Sequence, residues 1–125
     1  MREASILLLA LLTSGATAQA PSSTVEVQLS SFDYTPGIIR LRAGEAVTLR
    51  LVNTSGGGHN FSAPAFFAAS RLLAGSDTAI REGSVEVRSR QTATVSLIPA
   101  RGTYRLRCTH TLHSALGMRG QIIVT

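Results

Sequence analysis

From residue 23 onward the chain falls into short runs in which apolar and polar side chains alternate. Val25, Val27 and Leu29 alternate with Glu26, Gln28 and Ser30, and Val47, Leu49 and Leu51 repeat the pattern. Val85 with Val87, Ala93 with Val95 and Leu97, and Tyr104 with Leu106 do the same. A period of two sends one side of each run into a core and the other into water, which marks half-buried strands. Residues 38–41 and 121–124 add two more, with turns expected at Pro36-Gly37, Gly44-Glu45 and Arg101-Gly102. About seven or eight strands in one small domain predict an all-β fold, an antiparallel sandwich or small barrel.

One segment departs from alternation. Residues 65–73, AFFAASRLL, carry apolar side chains at helical spacing, and Pro64 before them suits the first turn of a helix. A short helix on a crossover, capping one open end of the sandwich, is expected there. At the other extreme, residues 4–12 are almost wholly apolar and are followed by small and polar residues through Ala20. That is the layout of an export signal, with cleavage after Ala18 or after Ala20, so residues 1–20 are expected to leave and residues 21–125 to fold. The apolar run is too short to span a bilayer as a helix. It lacks the paired arginines of the twin-arginine route and any cysteine for lipid attachment.

The chain of 125 residues is 44% hydrophobic and 15% charged, which excludes a disordered protein. Its net charge of +5 survives loss of residues 1–20, because Arg2 and Glu3 leave together. Every basic residue is arginine, and these are scattered with little aromatic content between them, a poor match to a nucleic-acid surface. An acidic protein partner, attracted over a distance that salt shortens, fits better than nucleic acid, and a solvated basic surface that aids solubility accounts for the charge equally well.

Chemistry concentrates in one place. If Tyr104 and Leu106 face the core, so does Cys108, the single cysteine, which rules out an internal disulfide. His113 and Met118 follow at steps of five residues, a spacing that keeps one face of neither a strand nor a helix. Five extended residues reach about 17 Å, whereas ligands of one ion sit a few ångströms apart, so convergence requires a loop that doubles back. Gly117 and Gly120 offer the flexible positions. Thiolate, imidazole and thioether together suit copper rather than magnesium or calcium, and a plane of two histidines and a cysteine with a weak axial methionine is a blue-copper site. The second histidine is available as His59, which follows Gly56-Gly57-Gly58 and precedes Asn60-Phe61. His110 is left over, a surface residue or a substitute for His113 in a tighter loop.

These residues resemble the cupredoxins over the whole of residues 21–125: the strand count, His59-Asn60-Phe61, the strand ending at Cys108, the loop through His113 and Met118, and the closing strand 120–124. The resemblance implies a Greek-key β-sandwich with His59, Cys108 and His113 as equatorial copper ligands and Met118 as the axial one. It implies for Asn60 the hydrogen bonding that ties the two ligand loops together. The loop spacing is similar to phytocyanins and to the blue site of multicopper oxidases. A lone cysteine forbids the phytocyanin disulfide, and Arg107 and Thr109 replace the histidines that flank the oxidase cysteine. A trinuclear cluster or second copper cannot be built from what remains, so no enzyme is expected.

The function implied is a monomeric, exported carrier of single electrons, periplasmic or secreted, holding one copper that cycles between Cu(I) and Cu(II). Its partner would be an acidic redox protein such as a cytochrome or oxidoreductase. A protein that stores or delivers copper would use the same ligands, and a metal-free interaction module would use none of them. In the cupredoxin picture His113 is the electron port, inside an apolar patch of Leu112, Ala115, Leu116 and Met118 to which Ala63, Pro64, Phe66 and Phe67 add.

Overall fold

The alternating runs become strands in the computed structural model, which describes residues 23–111, 113 and 116–125. In chain order these are β1 (Ser23–Ser30), β2 (Asp33–Thr35), β3 (Ile38–Leu41), β4 (Val47–Asn53) and β5 (His59–Ser62). A helix, α1 (Pro64–Ala69), leads to β6 (Arg71–Leu72) and a single 3-10 turn at Ser76–Ala79. Then come β7 (Ser84–Val87), β8 (Thr92–Ile98), β9 (Gly102–Arg107) and β10 (Arg119–Val124). All but β2 and β6 have at least 4 residues, which accounts for the strand number read from alternation. The proposed export signal lies outside the described residues.

Two sheets form, ordered β2-β1-β4-β8-β6 and β3-β10-β9-β5-β7. Their inner faces meet in one core. Val27, Leu29, Leu49, Leu51, Val95 and Leu97 come from the first sheet, and Ile39, Phe61, Val85, Leu106 and Ile122 from the second. Each is at most 1% exposed, and full burial of such a side chain contributes about 1.5–3 kcal/mol relative to leaving it in water. The antiparallel expectation needs correction, because β1 runs parallel to β4 and β3 parallel to β10. Alternation records which face of a strand is wet and carries no information on the direction of its neighbour.

The helix also differs from its expected span. Pro64 starts it as predicted, but Ser70 ends it, with its N–H and hydroxyl both donating to the carbonyl of Phe66. Ser70 is already extended, and Arg71–Leu72 pairs with Ile98 and Leu97 at the edge of the first sheet. Leu72, partly buried, packs against the core from that strand. The segment thus carries the chain from the second sheet to the first while Phe66 and Phe67 enter the core, Phe66 edge-on to Tyr104 at 5.5 Å between ring centroids. Gly120 likewise has a role other than flexibility. It lies within β10, where a Cβ would sit 2.8 Å from the carbonyl oxygen of Gly37 and 3.1 Å from Leu106 Cδ2.

Candidate metal centre

Strand β5 opens at His59, and a buried polar residue fixes how the chain arrives there. Asn53, at the end of β4 and 1% exposed, donates to the carbonyls of Gly57 and Val87 at 2.9 and 3.0 Å. Its Oδ1 accepts from the N–H of Ser55 at 2.9 Å. A turn rich in glycine has the most backbone freedom to lose, and one asparagine holds this one in the shape that delivers His59 to the sheet.

The other arm comes from β9. Leu106 and Cys108 point inward in succession, and Cys108 is fully buried. Pairing with β10 continues one step past β9, with the N–H of Cys108 donating to the carbonyl of Met118 at 3.1 Å. Between them the chain doubles back. The N–H of His113 donates to the carbonyl of His110, and those of Leu116 and Met118 to the carbonyl of His113. Gly117, at φ +96°, makes the reversal that a side chain would oppose. Leu112, Ser114 and Ala115 lie outside the described residues.

Three predicted side chains meet as a result. His59 Nδ1 lies 3.1 Å from His113 Nδ1, Cys108 Sγ lies 3.4 Å from the same nitrogen, and no two of the three ligand atoms are more than 4.8 Å apart. Metal–nitrogen bonds of about 2.0–2.1 Å and metal–sulfur bonds of about 2.3 Å set neighbouring ligand atoms roughly 3.3–3.8 Å apart. The cluster is therefore close to the size of one ion's coordination shell. Met118 is fully buried and its backbone bonds both to Cys108 and to His113.

Electrostatics favour a neutral His59. Burial holds its imidazole below the ordinary 6.5, the positive charges of His113 and His110 lower it further, and Glu86 opposes them. Among the described residues its buried Nε2 has no hydrogen-bond partner, and its Nδ1 is the nitrogen directed at the cluster. Soft sulfur beside two imidazoles is the donor chemistry of copper.

Around the cluster, Asn60 spans the two arms. Its Nδ2 donates to Thr109 Oγ1 at 2.7 Å, and its Oδ1 accepts from the N–H of Thr109 at 2.9 Å. Tyr34 adds a third tie, donating its buried hydroxyl to the carbonyl of Asn60 at 2.6 Å. Burial raises the phenol far above its usual range, with the charge of Cys108 adding to the effect. His110 is not one of the three converging groups. It stacks on His113, with centroids 5.4 Å apart and planes 28° apart, and its Nε2 meets Glu86 Oε1 at 2.7 Å.

The apolar surroundings of His113 differ from those expected. Ala63, Phe66 and Phe67 lie in the core, at most 5% exposed, and Met118 joins them there. Pro64 is exposed but lines a groove on the second sheet. The aromatic neighbour is Phe32, 39% exposed and edge-on to His113 at 5.1 Å. It sits at φ +64° in the turn from β1 to β2, an uncommon conformation for a bulky residue. Leu116 is 58% exposed, in accord with the expected patch. Phe32, Tyr34 and Asn53 were not singled out by sequence; for Asn53 the signal that could have found it is its place just before the turn Thr54-Ser55-Gly56-Gly57-Gly58.

Comparisons with known proteins agree with this fold. A family model described as a cupredoxin-like domain matches residues 3–124. A search of curated proteins finds no match. Among solved structures, auracyanin B is similar at 24% identity and a TM-score of 0.63, over 90% of this chain and 95% of that one. Dithionite-reduced auracyanin from the photosynthetic bacterium Roseiflexus castenholzii is similar at 22% identity and a TM-score of 0.61, over 85% and 99%. At these identities the likeness is one of fold.

Proposed function

The chain belongs to the cupredoxin-like family, and from that premise we propose that it binds one copper ion and carries single electrons between redox partners. His59 and His113 would hold the ion through Nδ1, Cys108 through sulfur and Met118 through its thioether. The observation that carries this reading is the convergence of two imidazole nitrogens and the chain's one thiol within 4.8 Å. The auracyanin likeness in fold supports it.

Copper, when bound, supplies a couple whose two oxidation states differ by one electron. The protein's part is to hold its donors still. Asn60 locks β5 to the residue after Cys108, Tyr34 fixes the backbone of Asn60, and His110 braces the ring of His113 against Glu86. Donors restrained by these hydrogen bonds would move little when the charge of a bound ion changes, which would keep the cost of electron transfer low. His113, half-buried beside Phe32 and Leu116, serves as the electron port. Residues 1–20 act as an export signal, and the mature monomer works in the periplasm or outside the cell. It performs no catalysis of its own, and its transient partner is an acidic redox protein.

The test is Cys108→Ser. Copper-loaded wild type shows an intense visible band from thiolate-to-copper charge transfer, which the variant lacks. A colourless wild type, or a variant that keeps the band, refutes the assignment. Reversible reduction and reoxidation with copper retained separates a carrier from a storage or delivery protein, which surrenders its metal to an acceptor.

A further inference from the structure

The outer face of the second sheet carries a feature that electron carriage through His113 does not use. Arg107 on β9 stands directly opposite Arg119 on β10, and Arg105 opposite Gln121. Side chains two apart on a strand share a face about 7 Å apart, and directly opposed ones are closer still, so three guanidinium groups occupy one small patch. All three residues are exposed. Directly opposed like charges destabilise an antiparallel pair, and nothing in the core requires arginine at these positions.

The patch is also hollow. Arg105, Arg107 and Arg119 line a groove of about 790 Å³ together with Pro64, Ala65 and Tyr104, and no carboxylate lines it. Neither Arg105 nor Arg107 forms an ion pair with a described residue. Glu82 and Glu86 lie in the adjoining cavity beyond Arg107, and Glu86 is engaged by His110. Arginine offers a fork of donors that takes carboxylates two at a time, while Pro64, Ala65 and the arginine stems give an apolar floor. Side chains standing side by side on a strand face spread their charge along the groove instead of converging on one point, which suits a row of carboxylates better than a single small anion.

We propose that this groove is the docking site for an acidic segment of a protein partner, held by Arg105 and Arg107 with Arg119 at its edge. The proposal rests on the electron-carrier reading, which calls for such a partner, and it says where that partner sits. Arg107 directly precedes Cys108 and Arg119 directly follows Met118. An acidic surface seated here lies one residue along the chain from two of the proposed copper ligands. Small interfaces steered by charge bind and release quickly, as electron exchange requires.

The test uses a capped hexaglutamate peptide titrated into isotope-labelled apoprotein at low salt and followed by nuclear magnetic resonance. Shifts are expected at Arg105, Arg107, Arg119 and Gly120, with affinity falling at least tenfold in Arg105→Gln/Arg107→Gln and changing less than twofold in Arg88→Gln/Arg90→Gln. Charge reversal in Arg105→Glu, at an exposed position, should abolish binding while leaving the spectrum of the core unchanged. Unaltered affinity in the double variant, or shifts centred elsewhere, overturns the proposal. So does inorganic phosphate binding as tightly as the peptide, or anionic phospholipid vesicles binding where the peptide does not. Binding is read without copper, so failure of the groove and failure of the copper chemistry, which the visible band reports, are distinguished.

Discussion

Removing the side chain of Asn60 offers the sharpest test of how the two arms that carry His59 and Cys108 are held together. Asn60 is 6% exposed and makes two hydrogen bonds to Thr109, 49 residues away in sequence. Each such bond contributes about 0.5–1.5 kcal/mol net. Asn60→Ala loses both, but Thr109 is exposed, so water can reach its abandoned N–H and soften the penalty. A loss of about 2 kcal/mol is expected, or roughly 8–16 °C in the melting midpoint of a domain this size. Thr109→Val removes the 2.7 Å bond alone and should cost about 1 kcal/mol. In the double variant that bond is already gone, so the two effects fall short of additivity by about 0.5–1.5 kcal/mol. Urea unfolding of the four apoproteins, with midpoints compared at constant slope, measures the cycle. A single-variant cost below about 0.5 kcal/mol for Asn60→Ala, or strict additivity, would show that the arms are held by packing and that the paired bonds are incidental.

Other consequences follow from the same geometry. Because the folded state holds His59 below its ordinary 6.5, the unfolded chain binds the proton more readily. Apoprotein stability should therefore be fully present above about pH 6.5 and fall as the pH drops below it, which thermal melts across pH 8 to 5 measure; His59→Gln should flatten that slope. Tyr34→Phe leaves the buried carbonyl of Asn60 without its 2.6 Å donor and should cost about 1–3 kcal/mol in chemical denaturation with little change in overall fold by circular dichroism. Gly120→Ala drives a Cβ against the backbone oxygen of Gly37, which cannot swing aside, and a loss of about 1–3 kcal/mol is expected by the same measurement.

Much of the fold was legible because burial leaves a period in the sequence. Leu106 and Cys108 share a face for the same reason as Val27 and Leu29, and that parity alone aimed the thiol inward. Donor chemistry was equally local: one cysteine, two histidines and a methionine of the right softness, with Asn60 beside the first histidine. Pro64 began the helix where its fixed backbone angle and missing N–H predicted.

What remained hidden depended on which residues become neighbours after the chain has folded. The parallel pairings of β1 with β4 and β3 with β10 leave no mark on either strand's own alternation. Ser70 could end the helix early only because the edge of the first sheet was there to accept Arg71–Leu72. Phe66 and Phe67, apolar and close to His59 in sequence, went to the core, while Phe32, 81 positions from its contact, came to lie against His113. Side-chain periodicity reports a residue's exposure to water, which is a property of one strand, whereas contacts across the sandwich depend on sheet order and register, which are properties of all the strands together.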